Sequence, residues 1–339
     1  MSIAASADGR KLITAGADYS ASVWDVKDGL LGTANPSRHP DAHDTYLNAA
    51  AFHPDGKAYA TAGPDGKVVL RSSRDSTRIT SSTAKAGAAI RAVCIAQCGT
   101  RMGLGTEDGA MVMTLDKQMK LSQPETLSTG RAIYAIALPP DPASPVRAVI
   151  GTDHGKVSII YSDPSFNASY SHAGVVRDIE FSADGTWVYS VGDDMQVKAW
   201  NLDEQRLVEL PQGHRHRVKS IATSPDGRYL ATGGRQTVNL WRWAGSAWVL
   251  EDQFRGHRDE IWTLSFSPCS RLLASGSKDG ITRVWDLQSP AEARRSACLP
   301  RTNSILALWF SPDSARLHIA DAGPAAQLPA CTQVAIHGL

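Results

Sequence analysis

Residues 256–287 read GHRDEIWTLSFSPCSRLLASGSKDGITRVWDL. Within them Ile261–Phe266 alternates apolar and polar side chains, the period of a half-buried strand. Ser267-Pro268-Cys269-Ser270 is a turn cluster, and Leu272–Ser275 reads as a second strand. Asp279-Gly280 marks a tight hairpin whose two central residues are expected to take positive φ. Ile281–Trp285 supplies a third strand, closed by Trp285-Asp286, and a fourth, outer strand is expected within Ala291–Leu299.

Four side chains in this stretch recur elsewhere at fixed spacing. His257, Ser275, Asp279 and Trp285 are separated by 18, 4 and 6 residues, and so are His172, Ser190, Asp194 and Trp200. His43, Thr61 and Asp65 repeat the first two offsets, with Arg71 in the tryptophan place. Thr14, Asp18 and Trp24 keep the last two. His214 and Thr232 keep the first, but Gln236 has displaced the aspartate and Trp241 arrives one residue early. Internal repetition therefore organises the chain.

It divides into eight units, 1–41, 42–85, 86–128, 129–171, 172–213, 214–256, 257–300 and 301–339, expected to build a single domain. Hairpin and turn signals return at Pro64-Asp65-Gly66, Asp108-Gly109, Asp184-Gly185 and Pro225-Asp226-Gly227. The third, fourth and eighth units lack most of the recurring set, and the fourth carries the insert Pro139–Pro145. Units of roughly 43 residues suit four short strands and their turns. Such a sheet has two apolar faces to cover, and stacking on copies of itself covers them, with a ring of twisted sheets as the natural closed form. The Gly-His, Ser-Pro-Asp-Gly and Trp-Asp elements resemble the WD-repeat family of β-propellers, over nearly the whole chain. The resemblance implies an all-β propeller of four-stranded antiparallel blades. Eight blades are expected, the last without its outer strand; a seven-bladed ring with one unit displaced, or a piece of a longer multi-repeat protein, are the alternatives.

Composition narrows the function. At 339 residues, 42% apolar and 20% charged, the chain has the make-up of a folded soluble protein. No apolar run reaches the ~18 residues of a membrane helix, and no signal peptide is legible, so no membrane association is expected. A net charge of +1 gives no reason to seek nucleic acid. Five scattered cysteines suit a reducing, cytoplasmic location. Cys94 and Cys98 have no second pair to complete a zinc site, and His214-Arg215-His216 has no third ligand, so neither a metal nor a cofactor is expected. Asn167-Ala168-Ser169 fits a glycosylation acceptor that stays idle without secretion.

Ser275, His257 and Asp279 have the residue types of a hydrolase triad. A catalytic set need occur only once, however, with its serine exposed beside a base. Here the set recurs and threonine replaces serine at Thr14, Thr61 and Thr232. The pattern predicts buried hydrogen-bond fasteners, tryptophan to hydroxyl to imidazole to carboxylate, and a protein that is not an enzyme. A propeller-form hydrolase or lactonase, or the sensor portion of a larger signalling NTPase or kinase, are the competing functional readings.

Family members hold partner proteins on the narrower face of the propeller. The resemblance transfers that role to positions three and five residues after each Gly-His histidine and one before each hairpin aspartate. These are Tyr46, Asn48 and Pro64; Val175, Arg177 and Asp193; Arg217, Lys219 and Arg235; and Glu260, Trp262 and Lys278. The degraded units add Arg91 with Glu107, Tyr134 with Asp153, and Leu306. Arginine and tryptophan are frequent binding anchors, and a cationic cluster suits carboxylates or phosphates. The expected partner is a protein or peptide, acidic or phosphorylated, held through Arg177, Lys219 and Trp262. The opposing expectation is that Asp193 and Glu260 neutralise these cations and leave a solvated surface.

Overall fold

In the computed structural model the backbone is described for residues 2–6, 8, 10–15, 21–27, 30–31, 37–39, 43–75, 77–83, 88–289, 296–321 and 331–335. Asp18 and Ala291–Arg295 lie outside them. The chain forms two compact units, Met1–Ser171 and His172–Leu339, parted where the fourth repeat meets the fifth.

Each unit contains four antiparallel sheets whose strands follow chain order from an inner to an outer edge. In the first unit the leading sheet has five described strands and the next three have four. In the second unit three four-stranded sheets are followed by one with three described strands, Ile305–Phe310, Arg316–Asp321 and Cys331–Ala335. The reference stretch behaves as its pattern requires, with strands at Ile261–Phe266, Leu272–Ser277, Ile281–Asp286 and Ser296–Pro300. Leu264 lies opposite Ser275, and Ser275 opposite Arg283.

The second strands are buried on both faces, which is why they read as runs of small and apolar residues rather than alternations. Ala58–Ala62 and Leu272–Ser277 are buried at every residue. Sheets stack through their inner strands: in the second unit Val176–Phe181 packs on Ser220–Thr223, which packs on Ile261–Phe266, which packs on Ile305–Phe310. The approach is close enough that a Cβ on Gly276 would lie 2.4 Å from Cγ2 of Ile305 in the following sheet. Core clusters accordingly bridge neighbouring sheets; one gathers Val191, Leu230, Trp241 and Trp248.

The hairpin geometry departs from the sequence expectation. Only the glycine of Asp279-Gly280 has positive φ (78°), and the same holds for Gly66 (71°). The turn is closed one residue earlier, by the Gly280 N–H on the Ser277 carbonyl, so the aspartate is an ordinary turn residue. Its usefulness lies in its side chain, which accepts from the Ile281 N–H at 2.8 Å. Met195 occupies the glycine place in the fifth repeat at φ 67°, a left-handed conformation that costs a non-glycine residue about 1–2 kcal/mol.

Candidate functional site

The recurring side chains meet as internal fasteners. His172 Nε2 lies 2.8 Å from the Ser190 hydroxyl, and its Nδ1 lies 2.9 Å from Asp194. His43 spans Thr61 and Asp65 in the same way, at 3.0 Å to each, and His257 spans Ser275 at 2.7 Å and Asp279 at 3.2 Å. Each aspartate also accepts the backbone N–H of the residue after its histidine: Asp44, Ala173 and Arg258. The carboxylate thus ties the loop entering the sheet to the hairpin between its second and third strands. Burial alone would raise the pKa of Asp279, but the N–H groups of Arg258 and Ile281 and the His257 ring outweigh it and hold the carboxyl below its ordinary range. Burial pulls His257 and His43 down, partly offset by their aspartates.

The tryptophans vary in role. Trp24 donates to Thr14 at 3.1 Å and Trp241 to Thr232 at 2.8 Å. Trp285 is packed instead, stacked on Phe254 with ring centroids 4.8 Å apart and edge-on to His257. Trp200, on the third strand of its sheet, lies opposite Val188 on the second, and Arg71, in the tryptophan place of the second repeat, is buried. The hydroxyls of Thr61, Ser190, Thr232 and Ser275 belong to residues with 0% exposure, so no substrate reaches them as nucleophiles. Replacing Asp279 by alanine is expected to lower stability by about 1–3 kcal/mol, because the Arg258 N–H and His257 Nδ1 lose their acceptor in a largely closed site; thermal melting of the variant measures it, and an unchanged midpoint would contradict the fastener role.

The residues expected to meet a partner are displayed by a device the sequence does not spell out. In five sheets the inner strand carries a bulge near its start, and the residue pushed out of the ladder is Arg91, Tyr134, Arg177, Trp262 or Leu306. A bulge leaves one residue unpaired and re-aims its side chain. All five belong to the expected partner-facing set.

In the first unit Arg91 pairs with Glu107 at 2.7 Å and lies 5.1 Å from the centre of the Tyr134 ring. Tyr46 is 47% exposed, whereas the Asn48 amide donates to the Ile90 carbonyl of the next sheet. Asp153 pairs with the adjacent His154.

In the second unit the cations expected to hold a partner are engaged by this chain's own acids. Arg177 grips Asp193 through two hydrogen bonds, 2.8 and 2.5 Å. Arg217, Lys219 and the Trp262 indole N–H all converge on Glu260, at 2.8, 2.6 and 3.3 Å. Burial would raise the Glu260 pKa, yet the donors from Lys219, Trp262 and Arg217 outweigh it and bring it to about 2. Lys278 lies 3.6 Å from Asp259. Asp193, Arg217, Asp259, Glu260 and Lys278 edge a cleft of about 550 Å³ that also receives Arg215, His216, Arg235 and Met195. Arg215 and Arg235 are exposed and have no acidic partner among the described residues. Arg215 and His216 were not among the positions expected from the repeat pattern; they sit in the loop rather than on the strand, at offsets the repeat does not single out. Among the described residues no group of three or more His, Cys, Asp or Glu could hold a metal. Cys94 is half-buried, and loss of solvation pushes its thiol pKa up to about 12. No helix among the described residues is long and apolar enough to cross a membrane.

Eight antiparallel sheets, each built inner strand to outer strand and four of them pinned by a buried His–hydroxyl pair, make this a repeat-built β-propeller protein. The family model for the WD domain, G-beta repeat, matches residues 34–72, 165–201, 205–242 and 248–286, the four repeats that hold a His–hydroxyl pair. The chain belongs to the WD-repeat family. It is 24% identical over 242 residues to a guanine nucleotide-binding protein subunit beta of Saccharomyces cerevisiae, 69% of this chain and 54% of that protein. It is 32% identical over 96 residues to the WD repeat and SOCS box-containing protein 1 of Takifugu rubripes, covering 27% of this chain and 22% of that one. The small ribosomal subunit protein RACK1y of Oryza sativa subsp. japonica is 35% identical over 95 residues, 27% of this chain and 25% of its own length. The match thus spans about half of the yeast relative and a quarter or less of the other two.

Proposed function

We propose that this protein is a non-catalytic interaction platform that holds an acidic or phosphorylated segment of a partner protein at the loop end of the sheets in the second unit. The observation that carries the reading is the 550 Å³ cleft in which Arg215 and Arg235 stand exposed without an acid of their own, beside cations already fixed by Glu260 and Asp193. In this reading Arg177, Lys219 and Trp262 stand behind the cleft and fix Asp193 and Glu260 at its edge, and the two uncommitted guanidinium groups meet the partner. Guanidinium forks suit carboxylate and phosphate alike. Relatives whose names make them subunits of larger assemblies support a platform role. In the first unit, taken by itself, Tyr46 in a loop and Arg91 and Tyr134 at inner-strand bulges are assigned the same kind of role. A cytoplasmic, reducing location belongs to it too, supported by the free thiols Cys94, Cys98, Cys269 and Cys298.

A random peptide library displayed on beads tests the reading. The intact chain is expected to select sequences rich in Asp, Glu or phosphoserine, and the Arg215→Ala, Arg235→Ala double variant to bind them about tenfold more weakly or worse. Selection of no peptide, or of sequences without acidic bias, would refute it.

A further inference from the structure

The sixth repeat has lost the carboxylate that completes its fastener. His214 Nε2 is bonded to Thr232 at 2.7 Å, as in the other repeats. Its Nδ1, which meets an aspartate in the second, fifth and seventh repeats, has no hydrogen-bond partner among the described residues although the residue is only 2% exposed. Gln236, at the aspartate's place in the sequence, turns away and donates to the Arg258 carbonyl at 3.1 Å. Among the described residues no carboxylate meets the Arg215 N–H, the counterpart of the N–H groups that Asp65, Asp194 and Asp279 collect in their own repeats.

A cleft of about 380 Å³ opens at this point, with His214, Gln236 and the guanidinium residues Arg215, Arg235 and Arg255 in its lining. No aspartate or glutamate lines it. Arg255, like Arg215 and Arg235, is exposed and has no acidic partner among the described residues. The site therefore combines a buried imidazole lacking its usual acceptor, a loop N–H in the same condition, and three cations.

We infer that this cleft receives an acidic side chain of a peptide ligand, whose carboxylate takes the place of the missing aspartate and is held by His214, the Arg215 N–H and the surrounding arginines, with Gln236 moving aside. The inference rests on the platform reading and narrows it, naming one pocket and one chemical group. A carboxylate fits because the family's own fastener is a carboxylate at that position, as Asp65, Asp194 and Asp279 demonstrate within this chain. Burial with no acid beside it holds the His214 pKa at about 4, and an arriving carboxylate would raise it.

A fluorescein-labelled penta-glutamate peptide, with penta-glutamine as control, is the probe. Binding is followed by anisotropy, and the His214 ring by NMR titration. Penta-glutamate is expected to bind and penta-glutamine not to. The exposed pair Arg235→Ala, Arg255→Ala is expected to weaken binding about tenfold or more, and saturating penta-glutamate to move the His214 titration upward. Excess inorganic phosphate that displaces the peptide without moving His214 would show a general anion surface and overturn the inference. So would penta-glutamate binding that ignores Arg255 or leaves His214 unchanged, and in both cases the platform reading would survive. Absence of any acidic-peptide binding to the intact chain would remove both.

Discussion

Thr232→Val is expected to destabilise the protein by about 2–4 kcal/mol, the largest effect of any single conservative substitution in the fasteners. Thr232 is fully buried and serves two ring nitrogens at once, the Trp241 indole N–H at 2.8 Å and His214 Nε2 at 2.7 Å. Valine has nearly the same shape, so packing is kept while both polar groups lose their partner. Trp241 has 0% exposure and no route to water. The equivalent changes in the fifth and seventh repeats, Ser190 and Ser275 to alanine, strand a histidine that still has its aspartate; the sixth repeat has no such second support. Denaturant unfolding, with the slope compared between variant and parent, measures the difference. A cost below about 1 kcal/mol would mean that these hydrogen bonds do not hold the sixth sheet.

Raising the pH from 6.5 to 9 is expected to cost about 2–3 kcal/mol of stability. The source is a carboxyl pair on one inner strand. Asp178 accepts from the N–H groups of Ile179 and Ile221, and Glu180 from the Thr223 hydroxyl, and among the described residues no cation pairs with either. Burial raises Asp178 to about 7; burial, with Asp178 as a second cause, raises Glu180 to about 8. A carboxyl whose folded pKa exceeds its unfolded one binds more protons when folded. Its stabilising contribution is complete below the ordinary carboxylate range and is lost as pH climbs through 7 and 8. The histidines whose pKa burial lowers, His43, His214, His257 and His318, act in the opposite sense, but below pH 6.5. Thermal melts should fall by about 5–10 °C across the window, and Glu180→Gln should remove more than half of that fall. A variant with the parent's pH slope would show that the pair does not sense solvent pH.

Most of the architecture was legible because the repeat is written in side chains that must contact one another. An 18-residue offset joins His257 to Ser275 since a loop, an inner strand and a hairpin of fixed length lie between them, and any change in that length would part the ring from the hydroxyl. The same logic exposed the sixth repeat as irregular: Gln236 in the aspartate's place is a visible break. The candidate site was less legible. The positions expected to face a partner follow from offset, but whether Arg177 or Lys219 is available to a ligand depends on Asp193 and Glu260, and charge composition cannot say which acid meets which base. Asp178 and Glu180 gave no signal either. As alternating polar residues on a half-buried strand they look solvent-facing, and only the stacking of the next sheet encloses them.

By itself the sequence determined the all-β repeat, the strands of its regular units and the histidine, hydroxyl and aspartate partners of the regular fasteners, since these are local or nearly local relations fixed by chain length and strand period. Tertiary structure decided which side chains the inner-strand bulges push outward, which cations are already neutralised and where a buried imidazole is left without its carboxylate. The capture of Arg217 and Lys219 by Glu260 joins groups about forty residues apart across neighbouring sheets, and a pairwise match at that distance is set by how sheets pack, not by any spacing along the chain.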